Sequence, residues 1–170
     1  MARENVSMDD AEVADFLRRG SIVNVATFGP RGYPHVMPLS YAVRESIDGG
    51  IELWTWTYPK SQKVRNLVRD PRASLLIERS DTYNEYRGVM LEVDVEIHDD
   101  LATVVATGRD VIAHGRKVNR RPGVNEVDVP LNDETLEREA AKRVALRFVE
   151  RHRVSFDFGK TARARAGAES

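Results

Sequence analysis

The chain has 170 residues, a net charge of −1 and a sequence pI near 6.4, so no global positive field is present to hold nucleic acid. Hydrophobic residues make up 41% and charged residues 31%, a balance that fits one folded domain and excludes wholesale disorder. Cysteine is absent, which removes disulfides, thiolate metal sites and a cysteine nucleophile together.

Met1-Ala2-Arg3-Glu4-Asn5 is followed by no apolar h-region, and no apolar run reaches the ~18 residues that span a bilayer. A cytoplasmic protein with no membrane partner is expected. The first element is a short helix, with Ser7 as its N-cap and Asp9 and Asp10 in the first turn, where carboxylates suit the helix dipole. Val13, Phe16 and Leu17 form its apolar stripe, and Gly20 ends it. The apolar period then changes from 3.6 to 2. Ser21 to Phe28 reads as a strand, Gly29-Pro30-Arg31-Gly32 as a tight turn, and Tyr33 to Val43 as the returning strand. Pro34 and Pro38 remove ladder donors, which sends that strand to a sheet edge or gives it a bulge.

After an Asp48-Gly49-Gly50 turn, Ile51 to Thr57 forms the next strand, with Ile51, Leu53 and Thr55 on one face and Glu52, Trp54 and Trp56 on the other. A helix from about Ser61 to Arg69 is stopped by Asp70-Pro71. Arg72 to Arg79 is a strand. Tyr86 to His98 is the clearest one, alternating Val89, Leu91, Val93, Val95 and Ile97 with Glu92, Asp94 and Glu96. Asp99 to Lys117 reads as helical, Val118 to Asp133 as a polar loop, and a helical turn or two precedes Arg143. Val144 to Phe148 and Val154 to Phe158 are two further strands, with Arg151-His152-Arg153 in a turn between them. Residues 1–160 make one domain and 161–170 a small, polar, frayed tail. Sequential hairpins without β-α-β alternation predict a mainly β (α+β) antiparallel barrel with two or three peripheral helices.

Chemistry concentrates in the stretch from Trp54 to Leu67. A strand ends in hydroxyl and aromatic residues, and a helix begins at Ser61-Gln62-Lys63. A helix N-terminus presents unpaired N–H groups and partial positive charge, which attract phosphate. The Ser61 hydroxyl and a nearby lysine, Lys60 or Lys63, add a donor and a full charge. On the strand, Trp54 and Trp56 form a semi-polar aromatic face suited to a flat ring, a second subunit or a packed helix. His98 and His114 lack metal-ligand spacing and read as surface histidines; no metal site is expected. Arg116 to Arg121 is a short basic cluster that reads as a solvated turn.

The order of these motifs resembles the pyridoxamine-phosphate-oxidase-like family, the flavin/deazaflavin split-barrel oxidoreductases. The resemblance rests on Phe16-Leu17, Val25-Ala26-Thr27, Gly32 to Pro38, Trp56-Thr57, Ser61 to Leu67, Asp70 to Ala73 and Tyr86 to Val89. It covers roughly residues 8 to 98, with a fainter echo from Lys142 to Phe158. It implies a split barrel of the FMN-binding type and a cofactor lying across a homodimer interface. It also implies a phosphate held by Ser61, Gln62 and Lys63, a ring against His35, Val36, Met37 and Pro38, contacts from Trp56 and Thr57, and an approach by Arg87.

Two departures narrow the resemblance. Arg151-His152-Arg153 lacks the Arg-x-His order of the vitamin B6 oxidases, and Gly88 stands where flavin-binding members often carry glutamine. The Ser-x-Lys-x-Arg-Asn-Leu…Asp-Pro-Arg pattern looks closer to members using the deazaflavin coenzyme F420, with FMN as the alternative. The implied activity is hydride transfer to a small organic acceptor with no dedicated catalytic side chain. A non-catalytic flavin- or haem-binding protein is the alternative.

Overall fold

The computed structural model describes residues 6–46, 49–79, 82, 85–119 and 132–161. Helix α1 spans Asp10–Arg19, followed by β1 (Ile22–Phe28), β2 (Pro34–Ser40), β3 (Ala42–Glu45), β4 (Ile51–Thr57) and α2 (Gln62–Arg69). The remainder is β5 (Arg72–Arg79), β6 (Arg87–His98), α3 (Leu101–Asn119), α4 (Asp133–Ala140) and β7 (Val144–Asp157). None of the described helices is long and apolar enough to cross a membrane. Of the loop expected from Val118 to Asp133, residues 120–131 lie outside the described residues, as do Asp48 and the tail beyond Thr161; Val118 and Asn119 instead end α3, which also holds Arg116 and Lys117 of the expected basic turn, and Asp133 begins α4.

Helix α1 is capped by Asp9, not by Ser7. The Asp9 carboxylate accepts the Glu12 N–H at 2.8 Å while the Glu12 carboxylate accepts the Asp9 N–H at 2.8 Å. The reciprocal pair satisfies two orphan donors, where a serine two residues earlier would reach neither. Asp100 does similar work ahead of α3, accepting the Thr103 N–H at 2.9 Å.

All strand pairings are antiparallel, in the order β2-β1-β5-β6-β7-β4-β3. Edge strands β2 and β3 are separated in sequence by one residue, Tyr41. One residue spans less than ~7 Å, so the two edges of the sheet must meet there, and the sheet curls into a barrel. The Thr55 hydroxyl crosses this seam to the Ser40 carbonyl at 2.6 Å, and the buried Tyr41 hydroxyl donates to the Leu17 carbonyl at 2.7 Å. The expected single strand from Tyr33 to Val43 is therefore two, broken where the chain passes from one edge to the other. The edge position inferred from Pro34 and Pro38 holds, since β2 is a terminal strand.

The final strand departs from expectation in the opposite sense. Val144–Asp157 runs unbroken, with an irregularity against β6 at Glu92/Val93. Arg151-His152-Arg153 lies inside it, not in a turn. Arg151 pairs with Asp94 at 2.8 Å, and Arg153 pairs with Glu150 and Asp10. Their charges are met by neighbouring residues and strands, which lets a polar segment continue the ladder.

The barrel interior holds the core: Val23, Val25, Leu75, Ile77, Val89, Leu91, Leu146 and Phe148, among others. Helix α1 closes one end with Val13, Phe16 and Leu17, and α2 closes the other with Val64 and Leu67. Helices α3 and α4 cover the outside of β4 and β7, where Val104 and Ala140 pack on Trp54 and Ala145. This is the antiparallel barrel that the sequential hairpins predict, of the split type that the resemblance implies.

Candidate functional site

At the α2 end of the barrel, β4 stops at Thr57 and the Ser61 N–H turns back to the Tyr58 carbonyl at 3.1 Å. Ser61 is the N-cap of α2, with extended φ −67° and ψ 152°. A cap serine ordinarily turns its oxygen onto the first-turn N–H groups. Ser61 makes no such bond, and its Oγ is buried without any partner among the described residues. The first-turn donors are therefore left for another acceptor. No carboxylate occupies that turn. Lys63 is only 8% exposed and has no ion pair among the described residues; burial lowers its ammonium pKa from the ordinary 10.5. A desolvated cation beside the positive end of a helix is an uncompensated positive site, suited to a phosphate.

A buried polar chain ties this turn to the first hairpin. Gln62 Nε2 donates to Asn66 Oδ1 at 2.8 Å, Asn66 Nδ2 to Thr27 Oγ1 at 3.0 Å, and Thr27 Oγ1 to the His35 carbonyl at 3.4 Å. Asn66 is completely buried. The chain brings His35 beside Gln62, and both line a cavity of about 120 Å³ with Tyr33 and the Gly29-Pro30 turn. His35 Nδ1 is buried without a hydrogen bond among the described residues. Two orphaned polar atoms, Ser61 Oγ and His35 Nδ1, thus sit at the same end of the barrel. Such atoms are uncommon in folded proteins and mark places where a ligand completes the bonding.

The other expected residues fall as follows. Val36 and Pro38 lie opposite Ala26 and Asn24 on the outer sheet face, and Met37 lies opposite Val25 on the inner face. Val36 is 55% exposed and Met37 43%, so β2 presents a bare edge beside the α2 end. Thr57 is buried opposite Val144. Trp56 is taken up by its own chain: a Cβ at Gly108 of α3 would overlap its ring, and the Arg143 guanidinium stands 4.6 Å from its centre. Trp54 lies between Arg44, 4.3 Å away, and the His98 ring at 5.3 Å. The face of Trp54 and Trp56 is thus helix-on-strand packing. His98 is in consequence not a surface residue but half-buried against Trp54, and His114 bonds to the Gly20 carbonyl at 2.7 Å. Arg87, at the start of β6, lies at the α1 end of the same chain, away from Ser61 and Lys63.

Sequence reasoning missed Thr27 and Asn66 as supports of the site. Their sign was a short amide four residues after Gln62, on the helix face otherwise given to Val64 and Leu67. Arg143 was missed as well: it bonds to the Tyr58 hydroxyl at 3.0 Å and to Glu139 at 2.7 Å, and so braces the turn leading into α2.

Comparison with known proteins places this geometry. No curated protein matches the chain. Among solved structures, the conserved hypothetical protein Rv2991 from Mycobacterium tuberculosis is 36% identical with a TM-score of 0.75, over 95% of this chain and 92% of that one. An F420 reductase is 19% identical with a TM-score of 0.54, over 82% and 94% of the two chains. The haem storage protein HutZ from Vibrio cholerae is 11% identical with a TM-score of 0.58, over 88% and 97%. These last two share the fold. Residues 9–125 match the pyridoxamine 5'-phosphate oxidase family. That span runs from the α1 cap through β1 to β6, with the α2 turn between them, so the chain belongs to the pyridoxamine 5'-phosphate oxidase family.

Proposed function

We propose that this protein is a cytoplasmic oxidoreductase that binds a phosphorylated flavin or deazaflavin, coenzyme F420 in preference to FMN, and works as a homodimer on a small organic acceptor. The observation that carries the reading is the buried, unpartnered Ser61 hydroxyl beside the desolvated and unpaired Lys63 at the N-terminus of α2. Ser61, Gln62 and Lys63 would hold the phosphate, while the bare β2 edge from His35 to Pro38 would receive the ring. When bound, the cofactor supplies the hydride chemistry. The protein's own share is anchoring, orientation and exclusion of water. Lys63 neutralises the phosphate, Ser61 donates to it, and the Gln62–Asn66–Thr27 chain holds the turn at a set distance from His35. No side chain is assigned a proton-transfer role.

The dimer is supported by the outer face of β1, β2, β5, β6 and the end of β7, which α3 and α4 leave uncovered. Across it run Pro38, Asn24, Leu76, Met90 and Val154 in register, with Ile22 49% and Val154 46% exposed.

Spectroscopic titration of the purified protein with F420, FMN and haem tests the reading. Saturable deazaflavin or flavin binding is expected, weakened more than tenfold in Lys63→Ala with the thermal midpoint retained. Failure of every flavin to bind would overturn it. A Soret band lost on changing His35, whose Nδ1 is free to ligate, would replace it with the haem-binding alternative.

A further inference from the structure

Seven arginines lie on the described strands: one on β3, two on β5, one on β6 and three on β7. Five of them, Arg44, Arg72, Arg147, Arg151 and Arg153, are ion-paired with carboxylates. The remaining two, Arg79 and Arg87, bond to no carboxylate among the described residues, and they stand directly opposite each other across β5 and β6. Like charges in that position repel. They also lie on the inner face. The pair one step further in, Ile77 and Val89, belongs to the barrel core, so the two guanidinium groups continue a core-facing row out to the α1 end.

There they line a cavity of about 560 Å³, whose apolar wall includes Phe16 and Ile77. That is the size of a small-molecule site. Five acids line the same cavity, and two of them are ion-paired with other cations. Glu12 pairs with Lys160, Asp15 with Arg19, and Glu85 accepts from Thr82. Asp157, the β7 neighbour of Arg87, takes the Gly159 N–H at 2.9 Å. Glu78, in register with Gly88, alternates to the other face of β5 but still lines the cavity.

We propose that Arg79 and Arg87 form an oxyanion clamp, and that the α1-end cavity takes an organic anion, a carboxylate or phosphate ester carrying a flat apolar body. Two forked donors without carboxylate partners match the paired oxygens of such a group. Phe16 and Ile77 supply the surface for the rest of the molecule. Nothing in the motif pattern singles out Arg79, and the inference does not rest on the cofactor reading.

Calorimetric titration of the full chain with inorganic phosphate, phenyl phosphate and benzoate tests it. Phenyl phosphate should bind saturably, roughly tenfold or more tighter than inorganic phosphate, because only the ester reaches the apolar wall. Benzoate binding comparably would show that a carboxylate serves as well as a phosphate; either source supports the clamp. Arg79→Gln and Arg87→Gln should each weaken phenyl phosphate about tenfold or more, and Arg79→Lys less. The titrations are repeated in Lys63→Ala, which removes phosphate held at the α2 turn; the arginine-dependent component should keep its affinity within about twofold there, because the α2 turn lies at the other end of the barrel. Relief of repulsion should also raise the midpoint of ligand-free Arg79→Gln by roughly one to a few degrees, a gain that a purely structural arginine would not give. Unchanged affinity in both glutamine variants, loss of binding in Lys63→Ala, or no saturation in the wild type up to about 10 mM would each overturn the proposal.

Discussion

At the scale of single residues, Lys63 shows a conflict between stability and binding. Its ammonium is desolvated and has no ion pair among the described residues, and its pKa is held below the ordinary value of 10.5. In the window below 10.5 the unfolded chain binds more protons than the folded one, so the lysine's contribution to stability improves as pH rises. A bound phosphate reverses the preference by favouring the charged form. Affinity for a phosphorylated ligand should therefore fall as pH climbs through the Lys63 pKa, and the Lys63→Met variant should lose that slope. Titrations between about pH 7 and 10 read it directly. The triplet Ser61-Gln62-Lys63 was visible in the sequence because a helix start after a strand is a local signal. Asn66 was not, because its meaning lies in Thr27, and that contact exists only once α2 has docked on β1. Arg79 was opaque for the same reason: only the register of β5 on β6 sets it face to face with Arg87.

At the scale of elements, the contact of α3 with β4 depends on a residue lacking a side chain. A Cβ at Gly108 would overlap the Trp56 ring, whereas one at Gly115, on the same helix, would meet nothing. Replacing glycine with alanine in a helix gains up to about 1 kcal/mol, while overpacking costs about 1–3 kcal/mol. Gly115→Ala should therefore stabilise the protein by about 0.5–1 kcal/mol. Gly108→Ala should cancel that gain or lower stability by about 1 kcal/mol, as read by chemical denaturation. The pattern of Trp54 and Trp56 on one strand face was legible. Their cover was not, since alternation reports two faces of a strand without saying what lies on either. The two misread strand boundaries have a shared cause. At Tyr41 the alternating pattern continues locally although the chain changes sheet edge. At Arg151 a polar run looks like a turn although Asp94 and Asp10 neutralise it.

At the scale of the whole molecule, α3 and α4 cover one outer sheet face and leave the Ile22, Val36 and Val154 side bare. Sedimentation should give a dimer, and a Val36→Asp/Val154→Asp variant should sediment as a folded monomer. If the cofactor site is shared between subunits, that monomer should also bind flavin or deazaflavin more than tenfold more weakly. A sedimenting wild-type monomer would remove the shared site. The barrel class itself was readable from the sequence, because sequential hairpins with one wet face leave few alternatives.

The single-residue link at Tyr41 has a mechanical consequence. Terminal strands of an open sheet would ordinarily move apart freely, yet here one backbone joins them, clasped by Thr55 across the gap. Prying either rim outward loads that clasp before any ladder breaks. A chain re-cut to begin at residue 42 and end at residue 40 would keep every strand pairing and lose the hoop, turning a closed staved cask into a hinged clamshell.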